Sequence, residues 1–193
     1  MIGLFFGENN LPIEILRSLK KKKLKYFIID LSKDNKFKKD KNCHFINIGK
    51  FGKILDLIKS KKCKKVIFAG NIIKPRLSKL KLDFKGVYYI PRIVRASKLG
   101  DAAILKELIK ILYENNIKVI KLNTFNPELT LKKGCYTKIK PNKNDMSIIK
   151  KGTQILNKSN AFNHVQALVI NNKKIVSFEK RKGTKDMLKK IKK

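Results

Sequence analysis

An alternation of short apolar runs with segments of helical period constrains this chain more than any other feature. Ile2 to Phe6 is an apolar run closed by Gly7, and after the polar loop Glu8-Asn9-Asn10 the residues Leu11, Ile15, Leu16 and Leu19 recur at helical spacing. Tyr26 to Leu31 and His44 to Ile48 read as the next strands. Phe51, Ile54, Leu55 and Ile58 line one face of a helix, and Val66 to Ala69, bounded by Gly70, is a buried strand. Asp101 stands as an N-cap before Ala102-Ala103-Ile104-Leu105, with Leu108, Ile109 and Leu112 continuing the stripe, and Ile117 to Leu122 returns as a strand. Strands separated by whole helices pair in parallel, through right-handed crossovers, because a tight hairpin joins only antiparallel neighbours. The expected fold class is α/β with a parallel sheet over residues 1–126.

Pro127, within Asn126-Pro127-Glu128-Leu129-Thr130, ends the alternation and sets the expected boundary. Beyond it, Asp145 to Leu156 reads as a helix. Val165 to Ile170 and Ile175 to Glu179 read as a hairpin joined through Asn171-Asn172, and Thr184 caps a last helix carrying Met187, Leu188 and Ile191. Residues 127–193 are thus a linker and a small α+β carboxy-terminal domain. A hairpin and two helices make a thin core, so this part is expected to be incomplete and to lean on the first domain or on a partner.

The formal charge of +34 points at first to a polyanion partner. Arginine, the residue suited to bidentate phosphate and base contacts, occurs only at Arg17, Arg76, Arg92, Arg95 and Arg181. Lysine supplies the rest, beside abundant isoleucine and asparagine, as an AT-rich coding sequence does. No specific nucleic-acid partner is expected, while attraction to anionic ligands and acidic membrane surfaces is. No stretch approaches the roughly 20 apolar residues of a membrane span, and the apolar run at the start precedes any charge, the reverse of a signal peptide; a cytoplasmic protein is expected. Cys43, Cys63 and Cys135 are far apart and form no CxxC pair, so they read as reduced thiols rather than a disulfide framework or zinc site.

No P-loop, GxGxxG or Ser-His-Asp signature is present, so position is the guide. In open parallel sheets anions bind beyond the carboxyl ends of the strands. Three segments follow strands: Gly7-Glu8-Asn9-Asn10, Gly49-Lys50-Phe51-Gly52-Lys53, and Gly70-Asn71 with Lys74-Pro75-Arg76. Glycines there permit close backbone approach, and Lys50, Lys53, Lys74 and Arg76 suit a diphosphate, although glycine also ends strands for its own reasons. Acids near strand ends are Glu8, Asp101, Glu128 and Glu179, and His44 and His164 are isolated.

From IGKFGKILDLIKSKKCKKVIFAGNIIKPRLSKLKLDFKG through YYIPRIVRASKLGDAAIL, LTLKKG and KGTKDML, the chain resembles the metal-dependent, two-domain UDP-2,3-diacylglucosamine pyrophosphatases of the lipid A pathway. The opening GLFFGENNLPIEI is similar to that family's glycine-rich first loop, with Glu8-Asn9-Asn10 where more glycine is usual. The resemblance implies a Rossmann-like amino-terminal domain followed by a small, incomplete α+β carboxy-terminal domain. It implies hydrolysis of UDP-2,3-diacylglucosamine to UMP and lipid X, with Mg2+ or Mn2+ as cofactor and association with the inner-membrane surface. It implies a substrate-binding set of Gly7, Asn9, Asn10, Gly49, Lys53, Gly70, Asn71, Lys74, Arg76, Gly100, Asp101, Gln166, Gly183 and Thr184, with Asp101 the one metal-ligand candidate. Ala102 replaces the second acid of the family's Gly-Asp-Asp, Lys182-Gly183-Thr184-Lys185 stands for Glu-Gly-Thr-Asp, and Asn163-His164-Val165-Gln166 stands for Asp-Ile-Gly-Gln. An essential aspartate of the family is expected beyond residue 193, which leaves the catalytic residues unassigned. A homo-oligomer partner or a complementing chain is the expected source of that segment, and a binding protein without turnover is the alternative.

Overall fold

In the computed structural model, residues 1–73, 80–163, 165, 167–172, 174–179 and 183–191 are described. Strands β1 (Ile2–Phe6), β2 (Tyr26–Asp30), β3 (Cys43–His44), β4 (Lys65–Ala69) and β5 (Lys118–Val119) form one sheet of order β3-β2-β1-β4-β5. Every pairing in it is parallel, as the alternation requires. Helices α1 (Leu11–Lys21), α2 (Phe51–Ser60), α3 (Phe84–Ser97), α4 (Asp101–Glu114) and α5 (Leu122–Phe125) fill the connections, and Pro127–Leu129 forms a short 3-10 turn.

The two-residue period of a strand sends alternate side chains to opposite faces, so each strand feeds two cores. Phe5, Phe27, Ile29 and Val66 pack with Phe51, Ile54, Leu55 and Ile58 of α2 and with Ile111 and Leu112 of α4. Leu4, Phe6, Ile28 and Ile67 pack with Ile15 and Leu19 of α1 and with Phe37, and Leu122 and Phe125 close the edge. Layers on both faces explain why the strands read as unbroken apolar runs.

Three local readings are corrected. The third strand is confined to Cys43–His44 because Asn47 turns the chain: its Oδ1 accepts from Gly49 N at 2.9 Å and its carbonyl from Lys50 N at 2.8 Å. The run Ile117 to Leu122 is strand only at Lys118–Val119, since the Lys121 carbonyl already accepts from Thr124 and Phe125 to start α5. Asp101 and Thr184 are the first residues of their helices rather than caps, and the carbonyls of Gly100 and Gly183 accept the first helical N–H bonds, from Ile104 and Met187.

The sequence pattern showed no element between Gly70 and Asp101, yet α3 lies there with Pro91 inside it. Gly86 and Pro91 lower its intrinsic helix propensity, and tertiary contacts supply what propensity lacks. Tyr89 packs edge-on to Phe51 at 5.5 Å. Arg92 reaches Glu107 with Nε at 2.5 Å and holds both carboxylate oxygens of Glu114, at 2.7 and 2.9 Å. This bidentate pair holds the guanidinium pKa above its ordinary value.

The chain divides into two compact units, Met1–Ile93 with Glu107–Lys132, and Val94–Lys106 with Lys133–Lys193. In the second, α6 (Lys143–Asn163), an antiparallel hairpin of β6 (Leu168–Asn171) and β7 (Lys174–Phe178), and α7 (Thr184–Ile191) assemble. Gly152 of α6 is buried against Ile170 and Leu168, and Asn172 takes φ 45° at the turn. Cys63 is buried, Cys43 is half-buried with its thiol pKa pushed up by that burial to about 11, and Cys135 is exposed; all three are free. Among the described residues no helix is long and apolar enough to cross a membrane.

Candidate substrate site at the switch point of the sheet

The strand order turns in opposite directions on either side of the β1–β4 pair, which makes their carboxyl ends the topological switch point of the sheet. The chain leaves β1 at Gly7 and β4 at Gly70. There the two backbones touch: Gly7 N donates to the Ala69 carbonyl at 2.9 Å and Glu8 N to the Asn71 carbonyl at 2.7 Å. A Cβ on Gly7 would lie 2.2 Å from the Asn71 carbonyl oxygen, and one on Gly70, where φ is +84°, would lie 2.4 Å from that of Glu8. Neither neighbour is a movable side chain, so only glycine fits at either position.

Asn9 carries φ 72°, and its Oδ1 accepts from Leu11 N at 3.0 Å. Asparagine is the residue that tolerates this left-handed turn best after glycine, which accounts for Asn9 within an expected glycine-rich loop. The Asn10 carbonyl then accepts from Ile13 and Glu14, so α1 opens directly from the switch point.

Glu8 in this loop is engaged: Oε1 accepts from Lys33 N at 2.6 Å and Oε2 pairs with Lys36 Nζ at 2.5 Å. The Lys36 hydrogen bond, then that from Lys33 N, hold its carboxyl below the usual range. Asp30, which ends β2, was not singled out in the sequence. It is buried, with Oδ1 accepting from Ser32 N and Oγ and Oδ2 accepting from Phe37 N.

The segment Gly49 to Lys53 also follows a parallel strand and therefore lies at the same edge, but its amides are occupied within the protein. Asp83 Oδ1 accepts from Gly52 N at 3.1 Å and from Gly86 N at 2.8 Å, and Oδ2 accepts from Lys53 N at 3.1 Å. A carboxylate thus caps α2 from a distant segment, which no local pattern reveals. Burial raises the Asp83 pKa, but the three N–H donors outweigh it and the net shift is downward. A depressed folded pKa means that this cap stabilises the fold above the unfolded carboxyl pKa and loses its effect as pH falls through the lower folded value. Asp83→Ala is expected to cost about 1–2 kcal/mol by urea denaturation at neutral pH. The difference from the parent should shrink in acid below the ordinary carboxylate range, and a pH-independent difference would remove the carboxylate from the explanation.

Gly100 and Asp101, at the start of α4, and Gly183 and Thr184, at the start of α7, belong to the second unit. Thr184 Oγ1 donates to Glu179 Oε1 at 2.8 Å. Lys74, Arg76, His164, Gln166 and Lys182 lie outside the described residues. His44 ends β3 against the Phe27 ring, and burial lowers its pKa. Glu128 accepts from Asn126 Nδ2 at 2.7 Å; Asn126 is fully buried, its Oδ1 lacks a hydrogen-bond partner, and in the sequence it is only the last residue before the expected boundary.

No three His, Cys, Asp or Glu side chains converge among the described residues. Glu8, Asp30 and Asp83 are each committed to internal partners. These residues do not fit the donor set of Mg2+ or Mn2+, which calls for several oxygen ligands on one point.

A parallel sheet with helices on both faces and a glycine-lined switch point defines a doubly wound α/β protein joined to a small α+β unit. Residues 1–129 match the LpxI N-terminal domain and residues 132–193 the LpxI C-terminal domain. The chain belongs to the LpxI family. It is 27% identical over 146 residues to UDP-2,3-diacylglucosamine pyrophosphatase LpxI of Caulobacter vibrioides, covering 76% of this chain and 52% of that protein. The chain therefore spans about half the length of the curated relative it matches.

Proposed function

We propose that this chain acts in the hydrolysis of UDP-2,3-diacylglucosamine to UMP and lipid X, and that its part is to hold the nucleotide diphosphate at the β1–β4 switch point. The observation that carries this reading is the backbone pairing of the two loops there, Gly7 N on the Ala69 carbonyl and Glu8 N on the Asn71 carbonyl, with only glycine fitting at Gly7 and Gly70. Two loops locked this closely offer a fixed edge beside the start of α1, whose dipole favours negative charge although Leu11 N is held by Asn9 and Ile13 N by the Asn10 carbonyl. Gly7, Asn9, Asn10, Gly70 and Asn71 form that edge in the proposal, and Lys74 and Arg76 follow it in sequence. Gly49 and Lys53 serve by shaping the neighbouring loop, since Asp83 holds the amides of Gly52 and Lys53. Gly100, Asp101, Gln166, Gly183 and Thr184 complete the substrate set by resemblance. The domains take part as residues 1–126 and 127–193, at the cytoplasmic face of the inner membrane.

The reaction breaks one P–O bond of the anhydride: water oxygen joins one phosphorus, and the bridging oxygen leaves with the other phosphate. Charge builds on the phosphoryl oxygens and needs a preorganised cationic partner. The family's divalent cation meets no donor set among the described residues. That same observation favours a second reading, binding without turnover. In an active assembly, a second copy or a complementing chain then supplies the remaining groups. Calorimetric titration of UDP into the chain tests the shared premise. Saturable binding, displaced by UDP-2,3-diacylglucosamine, is expected, and an absence of heat with both ligands would exclude a nucleotide site here.

The lysine surplus yields a separate expectation. Duplex DNA should bind weakly and without sequence preference, with affinity falling steeply as salt is raised, as for any polycation. Tight binding to a single sequence at physiological salt would reverse that.

A further inference from the structure

On α3, the residues Phe84, Val87, Tyr88 and Pro91 fall at i, i+3, i+4 and i+7 and share one helix face. That face is turned to solvent: Phe84 is 91% exposed, Tyr88 70% and Val87 57%. The helix's other side is already satisfied, with Tyr89 on Phe51, Gly86 buried and Ile93 packed on the core. Tyr88 rests edge-on against Tyr89 at 4.9 Å, so the stripe is presented from a fixed base. Phe84 is left open by the described residues, and contiguous exposed apolar surface of this kind marks an interaction site.

We infer that this stripe is a docking surface for an anionic lipid bilayer, with Phe84, Val87 and Tyr88 entering the interface and lysines meeting the headgroups. Charge selects this occupant. Exposed Lys81 and half-buried Lys85 flank the stripe. Of the nearby acids, Asp83 is sealed by three backbone N–H donors and Asp56 is paired with Lys85 at 3.6 Å. The whole chain carries +34, so a second copy brings repulsion to this face, whereas acidic headgroups bring the opposite sign. The composition also suits an interface: Phe supplies apolar area, and Tyr pairs an apolar ring with a hydroxyl that stays at headgroup level. This docking is independent of hydrolysis and of the nucleotide site.

The chain contains no tryptophan, so Phe84→Trp introduces a single reporter at the point of contact. With vesicles of equal parts phosphatidylglycerol and phosphatidylcholine, its emission should shift to the blue and be quenched by brominated acyl chains. With phosphatidylcholine alone it should stay unchanged. The double variant Phe84→Ser, Tyr88→Ser should bind the mixed vesicles roughly tenfold more weakly in sedimentation at raised salt, where screening has removed most of the lysine contribution. Both side chains are exposed, so its circular dichroism and melting should match the parent, and that comparison identifies a folding failure. Sedimentation with the vesicles but no spectral shift would overturn the proposal in favour of charge alone. A blue shift without lipid that grows with protein concentration would overturn it in favour of self-association.

Discussion

Incubated alone with UDP-2,3-diacylglucosamine and magnesium or manganese, this chain should release UMP more slowly than its Caulobacter relative by roughly three orders of magnitude or more. Binding and turnover make different demands here. Binding needs loops held in place at the switch point, and the close approach of Gly7 and Gly70 to the facing backbone fixes them there. Turnover needs in addition a cationic partner fixed where charge develops. Glu8 is spent on Lys36 and the Lys33 amide, Asp30 on Ser32 and Phe37, and Asp83 on the cap of α2. Ala102 and Lys185 stand where the resemblance calls for acids. UDP should therefore bind while UMP release stays slow. Release matching the relative, measured side by side on the same substrate, would show that these residues hold a complete catalytic set.

Gly70→Ala should destabilise the first unit by about 3 kcal/mol and abolish UDP binding. Two costs combine: a side chain at φ +84° is strained, and its Cβ would sit 2.4 Å from a backbone oxygen that cannot rotate away. Gly183→Ala is the matched control, because Gly183 has φ +83° and nothing within 4 Å of the added carbon. It should cost only about 1 kcal/mol, the conformational part. Urea denaturation followed by circular dichroism compares them, and UDP titration below the onset of unfolding separates a damaged site from an unfolded protein. Equal losses in the two variants would mean that strain at φ, not the approach of the two loops, constrains Gly70.

Much of the fold was legible because burial on both faces leaves a simple mark. Leu4 and Phe6 feed one core while Phe5 feeds the other, so β1 had to read as a continuous apolar run. The helices α1 and α2 were legible for the converse reason, one buried face each, with Ile15 and Leu19 or Ile54, Leu55 and Ile58 at helical spacing. α3 was not legible. Its Gly86 and Pro91 argue against a helix locally, and what stabilises it is Phe51 and the two glutamates of α4, which the chain brings there only on folding. The edge strands β3 and β5 were overread because an apolar run shows burial, while strand length depends on how far a neighbour continues to pair.

The candidate site divides in the same way. Along the chain it is already legible that glycines follow β1 and β4, that the strands are parallel, and therefore that both loops emerge at one edge. These are local periodicity and connection rules, which depend on residues a few positions apart. Folding is what presses Gly7 and Gly70 on each other's loops and carries Asp83 across to cap the helix after Gly49. It also decided that Glu8 and Asp30 are consumed by internal partners. Apart from Asp30, whose partners Ser32 and Phe37 are near it in the chain, each of these is a contact between segments distant in sequence, set by the register in which β1 lies against β4 and by what folds back over α2. No spacing along the chain encodes such a contact.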